Sequence, residues 1–177
     1  MMILLTGGSG CGKSHYAESL CASLPGPWTY IATMRPFGEE AQRKIQKHRA
    51  MRQGKAFETI ERYTTLDTLT LPRRGTVLLE CICNLTANEM FDGEGDYALY
   101  TDPYARVIRG VEALRRQCDN LIAVTNDVGS DGHLYDPGTM AYIAALGQIN
   151  AELAKQADAV YELVCGIPIV LKGERLI

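Results

Sequence analysis

The sequence predicts an α/β fold: one P-loop NTPase-type three-layer domain spanning residues 1–177, with a mainly parallel sheet. Three observations carry that expectation. Strand-like and helix-like segments alternate along the chain. The strand-like segments are short apolar runs, as in strands buried on both faces. The first of them runs straight into a glycine-rich phosphate-loop signature. Alternation of this kind implies right-handed βαβ crossovers and a sheet covered on both sides.

The elements follow in order. Residues 2–6 form the first buried strand, stopped by Gly7. Residues 14–23 read as a helix with Tyr16, Ala17, Leu20 and Cys21 on one side, ended by Pro25-Gly26-Pro27. Residues 29–33 are a second strand. Residues 39–52 are helical but carry few apolar positions (Ala41, Ile45, Met51), so this helix should be largely solvated. Residues 57–61 suggest a short strand, 72–75 a turn and 77–81 a further buried strand. A helix is expected over 84–91, and Asp92 to Asp96 is the clearest loop. Pro103 to Gln117 is an amphipathic helix with proline in its first turn. Residues 121–125 are a strand, 127–138 a polar loop and roughly 138–156 a long helix. Residues 159–164 and 169–171 are closing strands, separated by Gly166 and Pro168. Neither an internal repeat nor a linker interrupts this order, and 177 residues suit one domain.

Composition narrows the function. Hydrophobic residues make up 46% and charged residues 22%, enough apolar material for a core. A net charge of −3 supplies no basic field for nucleic acid, so none is expected as a partner. No apolar run reaches the roughly 18 residues of a membrane span. The apolar start lacks a basic region and a cleavage site, so a cytoplasmic protein without membrane association is expected. The six cysteines include no C-x-x-C pair, and reduced thiols follow. Cys81 and Cys83, expected on one face of a strand, read as small core or site-lining residues.

Gly7-Gly8-Ser9-Gly10-Cys11-Gly12-Lys13-Ser14 fits G-x-x-x-x-G-K-[ST] in full. Its glycines let backbone N–H groups turn inward around a phosphate. The following helix presents its N-terminus to the anion. Lys13 is expected at the β- and γ-phosphates and the Ser14 hydroxyl on Mg²⁺. A magnesium site needs an acidic partner at the end of another buried strand, and Glu80 supplies one. The substrates implied are ATP or GTP with Mg²⁺.

Of the three histidines, His15 reads as a bystander after the loop and His133 as solvated. His48 differs. Lys44, His48 and Arg52 are spaced i, i+4, i+8 and form one stripe on a helix. Two cations beside a histidine would attract a polyphosphate. A catalytic histidine and a solvated helix face both remain open on the residues alone.

With these segments in hand, the sequence resembles the bifunctional adenosylcobinamide kinase / adenosylcobinamide-phosphate guanylyltransferase family of cobalamin biosynthesis. The resemblance runs over nearly the whole chain. It rests on the first strand and phosphate loop, on Tyr30-Ile31-Ala32-Thr33, and on Ile45-x-x-His48-x-x-x-Arg52, with Lys44 where arginine is usual. It rests also on Phe57-x-Thr59-x-Glu61, Leu78-Leu79-Glu80-Cys81, Val124-Thr125-Asn126-Asp127-Val128-Gly129 and Gly147-x-x-Asn150.

The resemblance implies a kinase step on the aminopropanol hydroxyl of adenosylcobinamide, with Lys13 neutralising charge. It implies a second step in which His48 takes GMP from GTP as a covalent intermediate and passes it to adenosylcobinamide phosphate. It implies that Ala32, Thr33 and Met34, the segment Arg49, Ala50, Met51 and Arg52, and Glu61 line the GTP site, together with Glu80. It also implies a homotrimer. Two stretches depart from the family pattern. Ser130 to Asp136 replaces the usual G-I-V-P after Gly129, and Ile143 and Ala144 replace an arginine–aspartate pair. Competing readings are a monofunctional small-molecule kinase, with His48 as a surface residue, and a non-catalytic GTP-sensing module.

Overall fold

The computed structural model describes residues 1–91 and 102–177. The elements are β1 (Met2–Thr6), α1 (Lys13–Ser23), β2 (Trp28–Ala32), α2 (Gly38–Arg52), β3 (Phe57–Glu61), a 3₁₀ turn (Leu66–Thr68), β4 (Thr76–Glu80), α3 (Ile82–Met90), α4 (Pro103–Gln117), β5 (Asn120–Val124), α5 (Pro137–Gln156), β6 (Ala159–Val164) and β7 (Ile167–Lys172). The seven strands form one sheet of order β3-β2-β4-β5-β1-β6-β7. All neighbours are parallel except β6 and β7. The expected α/β architecture is therefore present.

The central strands are apolar on both faces because both are covered. Leu4, Leu5, Ile31, Leu78, Leu79, Ile122 and Ala123 are sealed from solvent. α1 packs on β1, β4 and β5, and α3, α4 and α5 pack against one another. β1 leads through α1 leftward in the strand order, whereas β5 leads through α5 rightward. Right-handed crossovers running in opposite directions put those helices on opposite faces.

Capping explains where the later helices begin. Asp102 accepts the Ala105 N–H and Pro103 follows it, while Asp136 accepts the Thr139 N–H and Pro137 follows it. α2 is solvated, as its composition predicts. Glu39–Arg43 and Glu40–Lys44 pairs support it one turn apart.

Many boundaries shift by one or two residues from the sequence reading, and three differences change what it said. β4 stops at Glu80, and Cys81 is the N-cap of α3, so Cys81 and Cys83 do not share a strand face. α3 starts at Ile82 rather than 84. Pro168 lies inside β7, opposite Leu163. An edge strand tolerates proline because one row of its N–H groups has no neighbour. The Asp92–Asp96 loop lies outside the described residues.

Candidate active site

The strand register collects the site. Glu61 pairs with Ala32, Ala32 with Glu80, and Glu80 with Val124, each the last residue of its strand. Four strand ends thus form a row along the carboxyl edge of the sheet, where α/β folds bind ligands. The loop of residues 7–12 leaves β1 at the same edge. A cavity of about 470 Å³ opens above this row.

Its floor is the phosphate loop. Gly7, Gly10 and Gly12 have φ of 134°, 74° and 99°. Gly7 is also pressed on the β6–β7 hairpin: a Cβ there would lie 2.5 Å from the Leu163 carbonyl oxygen. Only glycine satisfies both constraints. The Gly166 N–H donates to the Cys11 carbonyl at 2.8 Å and fixes the loop from the hairpin side. The buried Lys13 ammonium donates to the Gly7 and Gly8 carbonyls at 2.8 and 2.6 Å. It is held by the loop and is poised to exchange those carbonyls for phosphate oxygens.

Glu80 is the centre of the site. The Ser14 hydroxyl donates to its Oε1, and the Tyr30 hydroxyl donates to its Oε2 at 3.1 Å. Burial and the Glu80 charge raise the Tyr30 pKa, so the phenol stays a donor. Arg52 lies with its guanidinium carbon 3.5 Å from the Tyr30 ring centroid. Its Nη1 is buried and has no hydrogen-bond partner among the described residues.

α2 forms the roof. Lys44, His48 and Arg52 all line the cavity, so the stripe read from their spacing faces inward. His48 Nδ1 is buried without a hydrogen-bond partner among the described residues and lies 3.8 Å from Glu80 Oε1. Arg49 also lines the cavity and pairs with Glu61 at 2.6 Å. The Arg49 hydrogen bond, then that of Tyr63, holds the Glu61 carboxyl below its ordinary pKa. Among the described residues, Lys13, Lys44, Lys47, Arg49 and Arg52 line the cavity with two carboxylates, Glu61 and Glu80. The field favours a polyanion.

Residues 7–14 form the loop expected of them; Ser9, Gly10, Gly12, Lys13 and Ser14 line the cavity, and Cys11 is half-buried within the loop. Ala32, Met34, Arg49, Arg52, Glu61 and Glu80 line it as well. Thr33 is fully buried and bonds elsewhere. Its hydroxyl donates to the Cys81 carbonyl at 2.8 Å and accepts the Cys81 N–H at 2.7 Å. Ala50 is exposed on α2. Met51 lies in the last turn of that helix.

The sequence reading missed Asn84 and Asn126, which line the cavity, and took His15, which also lines it, for a bystander. Asn126 is positioned by a buried thiol: its N–H donates to Cys83 Sγ at 3.0 Å, and its carbonyl accepts from Asn150 Nδ2 at 3.2 Å. The sequence signal for this was confined to two separate family-like stretches, Val124 to Gly129 and Gly147-x-x-Asn150, with nothing to join them. Ile143, one of the two departures, covers Gly129: a Cβ on that glycine would sit 2.7 Å from Ile143 Cγ2.

Comparison with known proteins decides the family. Residues 3–171 match the family described as cobinamide kinase / cobinamide phosphate guanyltransferase. The chain belongs to this family. It is 32% identical to the bifunctional adenosylcobalamin biosynthesis protein CobU of Escherichia coli, over 97% of this chain and 100% of that protein. It is 33% identical to the protein of the same description from Salmonella typhimurium, with the same coverage. The bifunctional adenosylcobalamin biosynthesis protein CobP of Pseudomonas aeruginosa is 28% identical over 99% of this chain and 100% of its own length. The first-named resemblance and these matches agree.

Proposed function

We infer that this chain is the bifunctional transferase its family is named for. It phosphorylates adenosylcobinamide with a nucleoside triphosphate, then transfers GMP from GTP to adenosylcobinamide phosphate, giving adenosylcobinamide-GDP. The observation that carries this reading is the shared cavity: the phosphate loop and His48 face one space, with Glu80 between them.

In the kinase step, the acceptor hydroxyl forms a bond to the γ-phosphorus while the bond to the β-phosphate oxygen breaks. Lys13 leaves the Gly7 and Gly8 carbonyls and meets the charge that develops on the phosphoryl oxygens. Ser14 and Glu80 offer two hard oxygen donors in contact, a set that suits Mg²⁺, which takes few protein ligands and completes its shell with phosphate and water. Bound there, the ion would neutralise phosphate charge.

In the guanylyl step, His48 attacks the α-phosphorus and pyrophosphate leaves, so GMP is held as a phosphoramidate. The phosphate of the acceptor then displaces the imidazole. Arg52, with a free buried N–H pair, and Arg49 are placed to bind the triphosphate. Glu61, at the rim, is suited to accept N–H or O–H groups of the guanosine. By resemblance the protein assembles as a homotrimer, which sedimentation would read directly.

The test is a product assay. Adenosylcobinamide, GTP and Mg²⁺ should yield phosphorylated and then GDP-linked corrinoid by mass spectrometry, with pyrophosphate released in step. A phosphorylated corrinoid that never acquires GMP would support the kinase-only reading instead.

A further inference from the structure

We propose that Glu80 is a positioning residue for guanylyl transfer: it takes the Nδ1–H of His48 and so commits Nε2 to the attack on phosphorus. This rests on the reading that His48 carries GMP, and it deepens that reading to a single ring nitrogen.

The two nitrogens of His48 are not equivalent. Nδ1 is buried, has no hydrogen-bond partner among the described residues, and faces Glu80 Oε1 across 3.8 Å. A buried imidazole N–H in that position has one charged acceptor ahead of it, and a shift of about 1 Å brings the pair to charge-assisted hydrogen-bond distance. His48 itself lines the cavity, and with the Nδ1 proton committed to Glu80 the lone pair falls on Nε2. A neutral imidazole carries its proton on one nitrogen and its lone pair on the other, and the partner of the protonated nitrogen sets which is which.

The carboxylate is the fixed member of the pair. Glu80 ends a central strand and is 9% exposed. Tyr30 holds Oε2 and Ser14 holds Oε1. His48 rides on the solvated helix α2, so the ring closes on the carboxylate rather than the reverse. Each carboxylate oxygen has two acceptor positions, so Oε1 can take His48 through one and face Ser14, or an ion held with Ser14, through the other. One oxygen then joins the phosphate-loop side of the cavity to the histidine side.

The bonds balance. The Nε2 lone pair forms the N–P bond, the bond from α-phosphorus to the bridging oxygen breaks, and pyrophosphate leaves with that electron pair. Nδ1 keeps its proton throughout. The positive charge that arises on the ring is met by the Glu80 carboxylate. When the acceptor phosphate oxygen attacks, the N–P electrons return to Nε2 and the neutral ring is restored. Attack by Nδ1 would require that atom to leave its buried position and turn its lone pair from the carboxylate to the cavity.

The experiment is regiochemical. Full-length protein labelled with ¹⁵N-histidine is incubated with GTP and Mg²⁺, and the intact adduct is read by ³¹P and long-range ¹H–¹⁵N NMR. Alongside it, Glu80→Ala and Glu80→Gln proteins are followed for single-turnover labelling from α-labelled GTP, normalised to bound GTP. The proposal expects an Nε2 linkage in the wild type. In Glu80→Ala it expects labelling slower by about a hundredfold, the cost of a misplaced reacting group, and some Nδ1 product. Glu80→Gln should recover part of the rate, because its amide oxygen still accepts Nδ1–H. An Nδ1 linkage in the wild type, or an undiminished rate in Glu80→Ala, overturns it. Absence of any adduct in the wild type counts against the guanylyl-histidine reading itself, so the two failures are distinguishable. Should Glu80→Ala bind no GTP, Glu80→Gln supplies the comparison: a reduced rate with the Nε2 linkage kept supports the proposal, and an unchanged rate with a changed linkage overturns it.

Discussion

The Arg52 guanidinium carbon lies over the Tyr30 ring, 3.5 Å from its centroid, joining the last turn of the histidine helix to the second strand of the sheet. The same tyrosine bonds Glu80 through its hydroxyl. The contact leaves Arg52 Nη1 buried and without a hydrogen-bond partner among the described residues. Tyr30→Phe keeps the stack and loses one hydrogen bond, a cost of about 1 kcal/mol. Tyr30→Leu also loses the cation–π contact, a further ~0.5–2 kcal/mol. Titration with GTP should therefore show close to wild-type affinity for the phenylalanine variant and a roughly tenfold weaker Kd for the leucine variant. Equal affinities in the two variants would show that the stack does not position Arg52.

Gly7 and Gly8 are adjacent but should respond oppositely to a methyl group. Gly7 has φ of 134°, and a Cβ there meets the Leu163 carbonyl at 2.5 Å, whereas a Cβ on Gly8 meets nothing within 4 Å. Gly7→Ala should lower unfolding stability by about 2–4 kcal/mol, as backbone strain and a clash with main chain do. Gly8→Ala should unfold within about 1 kcal/mol of wild type. Urea denaturation of both proteins checks the pair.

Thr33 stitches the end of β2 to the residue after Glu80. Its hydroxyl both accepts the Cys81 N–H and donates to the Cys81 carbonyl. Thr33→Val keeps the shape and strands two buried polar groups, each at about 1–3 kcal/mol. Thermal melts should show a clear loss of stability, and GTP turnover should fall because Glu80 is the neighbouring residue. A Tm equal to wild type would mean that neither bond matters.

The Cys83 thiol gives the protein a pH signature. The S–H of Cys81 donates to it, a hydrogen bond shared with Thr125 and one from the Asn126 N–H add to this, and the Lys13 charge helps, so its pKa falls to about 6 despite burial. Cys81, the donor, moves well above its ordinary value. A thiol whose pKa is depressed on folding adds stability that is full above its unfolded value near 9 and is lost as pH falls through about 6. Chemical denaturation between pH 6 and 9 should therefore show stability rising with pH, and Cys83→Ala should flatten that rise. The same slope in the alanine protein would assign it to other groups. The exposed Cys165 should alkylate first, since Cys83 is 5% exposed.

Much of this architecture was legible because its signals are local. The phosphate loop is one contiguous motif, and buried strands such as 2–6 and 77–80 announce themselves by apolar runs. The i, i+4, i+8 spacing placed Lys44, His48 and Arg52 on one face, and that face is the one turned to the cavity. What the sequence left open depends on strands meeting across the sheet. That Tyr30 reaches Glu80, or that Thr33 reaches Cys81, follows from the β2–β4 register, which no local pattern encodes. The end of β4 was misplaced by one residue because Cys81 is as apolar as the strand before it. Asn84 and Asn126 look like ordinary loop and helix amides until the fold brings both to the cavity wall.

The central claim is that His48 forms a covalent bond with GMP. Incubating the protein with Mg²⁺ and GTP labelled at the α-phosphate, followed by denaturation, reads that bond directly. The account predicts label retained on the wild-type chain, stable to alkali, lost in acid, and absent from His48→Ala. Wild-type protein that binds GTP yet retains no label, or His48→Ala protein labelled equally well, would contradict it.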